Sequence, residues 1–109
     1  MTTIIIKKSK SGSYQSITSM GHAGYNKKGR DIVCASISVL FINTVNALEH
    51  FCNTQMDVKT NEDTAFLQCV FLNQLTNQEV LLLDTMVLGL EMISQEYGKK
   101  YCELQFKEV

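Results

Sequence analysis

The chain opens on Thr3–Lys8, where Ile4-Ile5-Ile6 form a β-branched run that predicts a strand. Lys10-Ser11-Gly12-Ser13 is turn material, and Tyr14–Met20 alternates loosely between polar and apolar, predicting a second strand in a hairpin with the first. The period then changes. After a loop over residues 21–30, apolar residues recur at helical spacing from Asp31 to about Asn53. Val33, Ile37, Leu40, Phe41, Leu48, Phe51 and Cys52 share one stripe. A second strip, Ile32, Ala35, Val39 and Ile42, lies opposite the first half of that stripe. This half of the helix is therefore expected to be covered twice, by the sheet and by a loop or second subunit. Met56–Thr60 reads as a short strand, Asn61-Glu62-Asp63 as a turn, and Ala65–Leu72 as a strand apolar on both faces and so central. Thr76-Asn77-Gln78-Glu79 fits a capping box. A second helix follows to Tyr97, stopped at Gly98, and Tyr101–Lys107 closes the chain as a strand. The order β-β-α-β-β-α-β predicts an α+β fold: a two-layer α/β sandwich with two helices on one face of a small mixed or antiparallel sheet.

At 109 residues, one domain is expected over residues 1–109. A net charge of −1 removes any general attraction to nucleic acid or anionic membranes. No contiguous apolar run approaches bilayer length, and the N-terminus reads as a strand rather than a signal peptide, so the expected location is cytoplasmic. Cys34, Cys52, Cys69 and Cys102 are then expected to be free thiols. Their long spacings contain no C-x-x-C, so neither a metal site nor a cofactor is expected.

The chemistry concentrates between Met20 and Leu40. His22 ends the second predicted strand, and Cys34 is the third residue of a helix that Asp31 is placed to cap. A helix N-terminus and a nearby imidazole both favour a thiolate, the reactive form of cysteine. The strand–loop–helix connection brings the two residues towards one corner, with His22 as general base and first-turn backbone N–H groups as oxyanion donors. Packing is the alternative role for Cys34, as for most free cysteines. Asp31 either orients His22 or serves as the cap. Ser38, one turn beyond Cys34, either bonds the thiol region or its own helix carbonyl. Gly21, Gly24 and Gly29 read equally as hinges of a flap and as plain turn residues. Lys27, Lys28 and Arg30 give the same loop a second reading, as a phosphate cradle, although no phosphate-loop motif is present.

Gly21-His22-Ala23, a glycine-containing loop, and Gly29-Arg30-Asp31-Ile32-Val33-Cys34-Ala35-x-x-Ser38 resemble the signature of the ribosomal-processing cysteine protease Prp family. The resemblance implies Cys34 as nucleophile, His22 as general base, and Asp31 and Ser38 as supporting positions. It implies that Gly21, Ala23, Gly24, Tyr25, Asn26, Lys27, Lys28, Gly29 and Arg30 form a substrate-gating loop. The implied substrate is the N-terminal segment of a bacterial large-subunit ribosomal protein, cut after a paired-aromatic motif, and the implied assembly is a homodimer. The competing reading is a non-catalytic ribosome- or RNA-associated module that uses the Lys27–Arg30 loop. The acidic balance of the chain and its lack of an aromatic–basic surface count against direct nucleic-acid binding.

Overall fold

The computed structural model describes residues 1–27 and 30–109. Its elements are β1 (Thr2–Lys8), β2 (Tyr14–Met20), α1 (Ile32–Cys52), β3 (Met56–Asn61), β4 (Phe66–Phe71), α2 (Asn77–Tyr97) and β5 (Cys102–Glu108). The α+β sandwich expected from the sequence is the one observed. The five strands form one mixed sheet in the order β3-β4-β2-β1-β5, antiparallel except for the parallel pair β1–β5. The middle strand is thus β2. The strand expected to be central, β4, lies between β2 and the edge strand β3. Its two apolar faces have different causes: Cys69 and Phe71 enter the core, while Phe66 and Val70 are only half-buried.

Period-two alternation sorts the sheet residues. Ile6, Ile17 and Cys69 stand in one cross-strand row, and all three are buried in the core that includes Val33, Ile37, Phe41, Leu83 and Leu90 of the helices. The next row on the same face, Ile4–Ser19–Leu67–Thr60, reaches the end of the sheet where the loop after β2 enters α1. The other face carries rows such as Ile5–Thr18–Gln68, in which Gln68 Nε2 donates to Thr18 Oγ1 at 3.0 Å. The helices meet at a close approach. A Cβ at Gly89 would stand 2.9 Å from a Leu40 methyl carbon, so the contact depends on the missing side chain.

The core stripe of α1 is Val33, Ile37, Phe41, Thr44, Val45 and Leu48. Phe51 departs from expectation: it is 76 % exposed and packs edge-on against His50. The step of four from Leu48 leads to Cys52, which is half-buried, and this rotates Phe51 outwards. Ile32, Val39 and Ile42 of the second strip are exposed, as are Leu81, Leu88 and Met92 on α2. Neither a loop nor another element of this chain covers them among the described residues. By length and composition, α1 is apolar enough to cross a membrane, contrary to the reading from contiguous runs. Interspersed Ser, Thr and Asn residues break the runs without adding charge. Its buried stripe packs into the hydrophobic core.

Candidate active site

The site is assembled where β2 ends and α1 begins. Gly21 follows β2 with φ +87°, and a Cβ there would lie 2.7 Å from the Met1 carbonyl oxygen, so only glycine fits. Thr2 Oγ1 donates to the Gly21 carbonyl at 2.9 Å, fixing the backbone just before His22. Ala23 is buried in the core and Tyr25 stands edge-on to two rings, Tyr97 at 5.3 Å and Tyr101 at 5.1 Å between centroids. These two contacts anchor the loop on either side of Gly24. Lys28 and Gly29, part of both readings of this loop, lie outside the described residues; Lys27 and Arg30 are exposed.

Asp31 caps α1. Its Oδ1 accepts from Cys34 N–H and its Oδ2 from Tyr25 N–H, each at 3.0 Å. Both carboxylate oxygens therefore have backbone partners, which favours the cap over the histidine-orienting role. Cys34 N–H is engaged by this cap, and Ala35 N–H donates to the Asp31 carbonyl at 3.0 Å. Of the first-turn donors expected for an oxyanion, these two are already engaged. Near Cys34 it is the Ser36 hydroxyl that bonds back along the helix, to Ile32 O at 2.6 Å; Ser38 instead lines the cavity beside Cys34.

A cavity of about 620 Å³ brings His22, Asp31, Cys34 and Ser38 together. Its walls are largely apolar, with Ile37 and Ile42 from α1 facing Phe66 and Leu67 from β4. Gly21, Gly24 and Asn26 also line it, whereas Ala23, Tyr25, Lys27 and Arg30 do not border it. The His22 ring is hydrogen-bonded to Asp63 O, 3.2 Å from Nε2, rather than to Cys34. The turn between β3 and β4 is thus part of the site, through Asn61, Glu62 and Ala65 on the cavity wall and Asp63 on the imidazole. The sequence pattern predicts a simple turn at residues 61–63. Local pattern shows that a turn is present, but not that the sheet order carries it to the end of β2.

The other thiols are placed differently. Burial, reinforced by Glu49, pushes the Cys69 thiol up to about 12, and burial also raises Cys102. Cys69 Sγ lies 3.3 Å from Met56 Sδ, in the core. Cys34 is half-buried at the cavity, and Cys52 half-buried at the far end of α1. Among the described residues, no cluster of three or more His, Cys, Asp or Glu could hold a metal ion.

The sequence pattern of the cysteine protease Prp family matches residues 1–102. The chain belongs to the cysteine protease Prp family. It is 26 % identical over 99 residues to the ribosomal processing cysteine protease Prp of Staphylococcus aureus, covering 91 % of this chain and 93 % of that protein. A Prp of Bacillus subtilis is 26 % identical over 101 residues, covering 89 % and 90 %. Two Prp structures from S. aureus share the fold. One, with a covalently linked product peptide, has a TM-score of 0.92 at 26 % identity, covering 98 % of this chain and all of that one. The other, with a substrate peptide, has a TM-score of 0.87 at 25 % identity and the same coverage, 98 % and 100 %. The protein is a cysteine protease, and membership of the Prp family places it among ribosomal processing proteases.

Proposed function

We propose that this Prp-family protease is an endopeptidase that removes the short N-terminal extension of a bacterial large-subunit ribosomal protein, with Cys34 as nucleophile and His22 as general base. The observation that carries the reading is that His22 and Cys34 line one apolar-walled cavity at a capped helix N-terminus. In this mechanism His22 takes the Cys34 thiol proton as Sγ attacks the scissile carbonyl carbon. The tetrahedral intermediate collapses to a thioester, and the imidazolium returns the proton to the departing amine. His22 then takes a proton from water as the water oxygen attacks the thioester; the C–S bond breaks, the acid product leaves, and the imidazolium returns the proton to Sγ, restoring the thiol. Asp31 fixes the start of α1 and so the position of Cys34, and Ser38 lies one helical turn along the same wall. Ile42, Phe66 and Leu67 offer apolar surface for aromatic side chains next to the cleaved bond.

The reading extends to one domain over residues 1–109, working in the cytoplasm as a homodimer. The exposed strips Ile32–Val39–Ile42 and Leu81–Leu88–Met92 support a self-association surface, since each is apolar and without cover among the described residues. The gating role of residues 21–30 is supported by its position: Gly21, Gly24 and Asn26 border the cavity, while Ala23 and Tyr25 provide anchors. The test is cleavage, followed by mass spectrometry, of a ribosomal-protein peptide carrying the N-terminal extension with its paired aromatics. Wild-type protein is expected to cut once after the aromatic pair. Full activity in Cys34→Ala would overturn the assignment of the nucleophile.

A further inference from the structure

We infer that the β3–β4 turn holds the His22 ring in its working tautomer, with the Asp63 main-chain carbonyl as the group that orients the imidazole and Asn61 as the positioning residue behind it. This inference rests on the Cys34–His22 reading. The contact is 3.2 Å from His22 Nε2 to Asp63 O. A carbonyl oxygen can only accept, so Nε2 must carry the hydrogen. In the neutral ring the free lone pair is then on Nδ1, which becomes the nitrogen able to take the thiol proton. In many cysteine and serine peptidases a third group holds the histidine ring in one tautomer. Here both carboxylate oxygens of Asp31 are occupied by backbone N–H groups, and the main-chain carbonyl supplies the contact instead.

The turn is built to aim that carbonyl. Asn61 Oδ1 accepts from Asp63 N–H at 3.0 Å and from Thr64 N–H at 3.4 Å. Thr64 N–H and Asp63 C=O belong to the same planar trans peptide, so they point in opposite directions. Tying the N–H inwards to Asn61 turns the C=O outwards, towards His22. Ala65 N–H donates to Glu62 O at 3.2 Å, and Ala65 itself sits at φ +51°, a left-handed conformation that a residue with a Cβ adopts at a cost. The chain accepts this conformation to close the turn in a single geometry before β4 begins.

The experiment uses the full chain labelled with ¹⁵N-histidine. Long-range ¹H–¹⁵N correlation reads the tautomer of His22, with His50→Gln used to separate the two histidine signals. Wild type is expected to show the Nε2–H form of neutral His22. Asn61→Ala is expected to give mixed tautomers and to lower kcat about tenfold, a fraction of the whole general-base contribution, with KM within about twofold. Asn61→Asp, which keeps the acceptor oxygen, is expected to restore both. An Nδ1–H tautomer in wild type would overturn the inference, even if Asn61→Ala fails to fold. So would an Asn61→Ala protein whose tautomer and kcat match wild type. The tautomer is read without substrate, so loss of the Cys34 assignment by the cleavage test would be a separate result.

Discussion

The two helices begin in different ways, and the contrast explains why the proposed site lies at one and not the other. At the start of α2, Thr76 and Glu79 complete a reciprocal capping box: Glu79 N–H donates to Thr76 Oγ1 at 3.3 Å and Thr76 N–H donates to Glu79 Oε1 at 2.8 Å. Thr54 adds a hydroxyl hydrogen bond to Glu79 Oε2, and the carboxylate is buried. The helix end is closed by its own first turn. At the start of α1 the cap comes from outside the first turn, from Asp31, and that turn contains no acidic residue. Cys34 occupies the position equivalent to Glu79, three residues after the cap, and a cavity lies beside it. One helix start is a structural joint and the other is an open site built on the same capping chemistry.

The largest effect should separate the two ends by function. Cys34→Ala is expected to lower peptide cleavage by about three orders of magnitude or more while leaving the urea midpoint close to wild type. An inactive protein that is also strongly destabilised would mean that Cys34 is a packing residue. Glu79→Ala is expected to do the reverse. It removes a buried cap and leaves Thr76 N–H without its partner, while the Thr54 hydroxyl keeps only the Leu48 carbonyl at 3.1 Å, a loss of about 2 kcal/mol in urea unfolding, with kcat nearly unchanged.

The Glu79 end also has a pH signature. Burial pushes the carboxyl up, but hydrogen bonds from the Thr54 hydroxyl and from Thr76 outweigh it, and the net shift is downwards. A folded-state value below the unfolded one means that the carboxylate contributes its stability above the unfolded value of about 4.3, and loses it as pH falls through the folded value. The stability gap between wild type and Glu79→Gln should therefore be widest near neutrality and narrow in acid, as read by denaturant midpoints across that range. A gap that widened in acid would contradict the cap.

A smaller contrast concerns the thiols. Limited iodoacetamide treatment, mapped by mass spectrometry, is expected to label Cys34 first and Cys52 next, and to reach Cys69 and Cys102 only on unfolding. Labelling of Cys69 at a rate similar to Cys34 in the folded protein would remove the distinction. The smallest effect belongs to the loop. Tyr25→Ala removes two edge-on ring contacts, each worth about 0.5–1.5 kcal/mol. It should speed amide exchange around residues 23–27 and change KM by a few-fold, with little change in global stability.

Most of the fold is legible in local pattern. The isoleucine run of β1, the capping box of α2 and the Gly98 stop each act within a few residues, and their elements appear where the sequence places them. That His22 and Cys34 meet at one cavity is legible for the same reason, since one short connection joins them. What was not readable depends on strand order. The Asn61–Ala65 turn reaches His22 only because β4 pairs with β2, and Tyr25 finds Tyr97 and Tyr101 only because β5 lies beside β1. Phe51 differs from its expected buried place by a single step around the helix, a rotation that apolar spacing alone does not resolve.

The parallel pairing of β1 with β5 also sets the order of events during folding. Thr2 faces Cys102 in that ladder and Thr2 N–H donates to Tyr101 O at 2.9 Å, so the partners lie almost a full chain length apart. Pairings of such high sequence separation form late and slowly. The hydrogen bond that sets the backbone ahead of His22 starts from Thr2, and the rings that anchor Tyr25 come from the last part of the chain. A chain emerging from the ribosome therefore carries Cys34 well before it can hold the loop in place. Proteolytic competence should therefore arrive with the final strand.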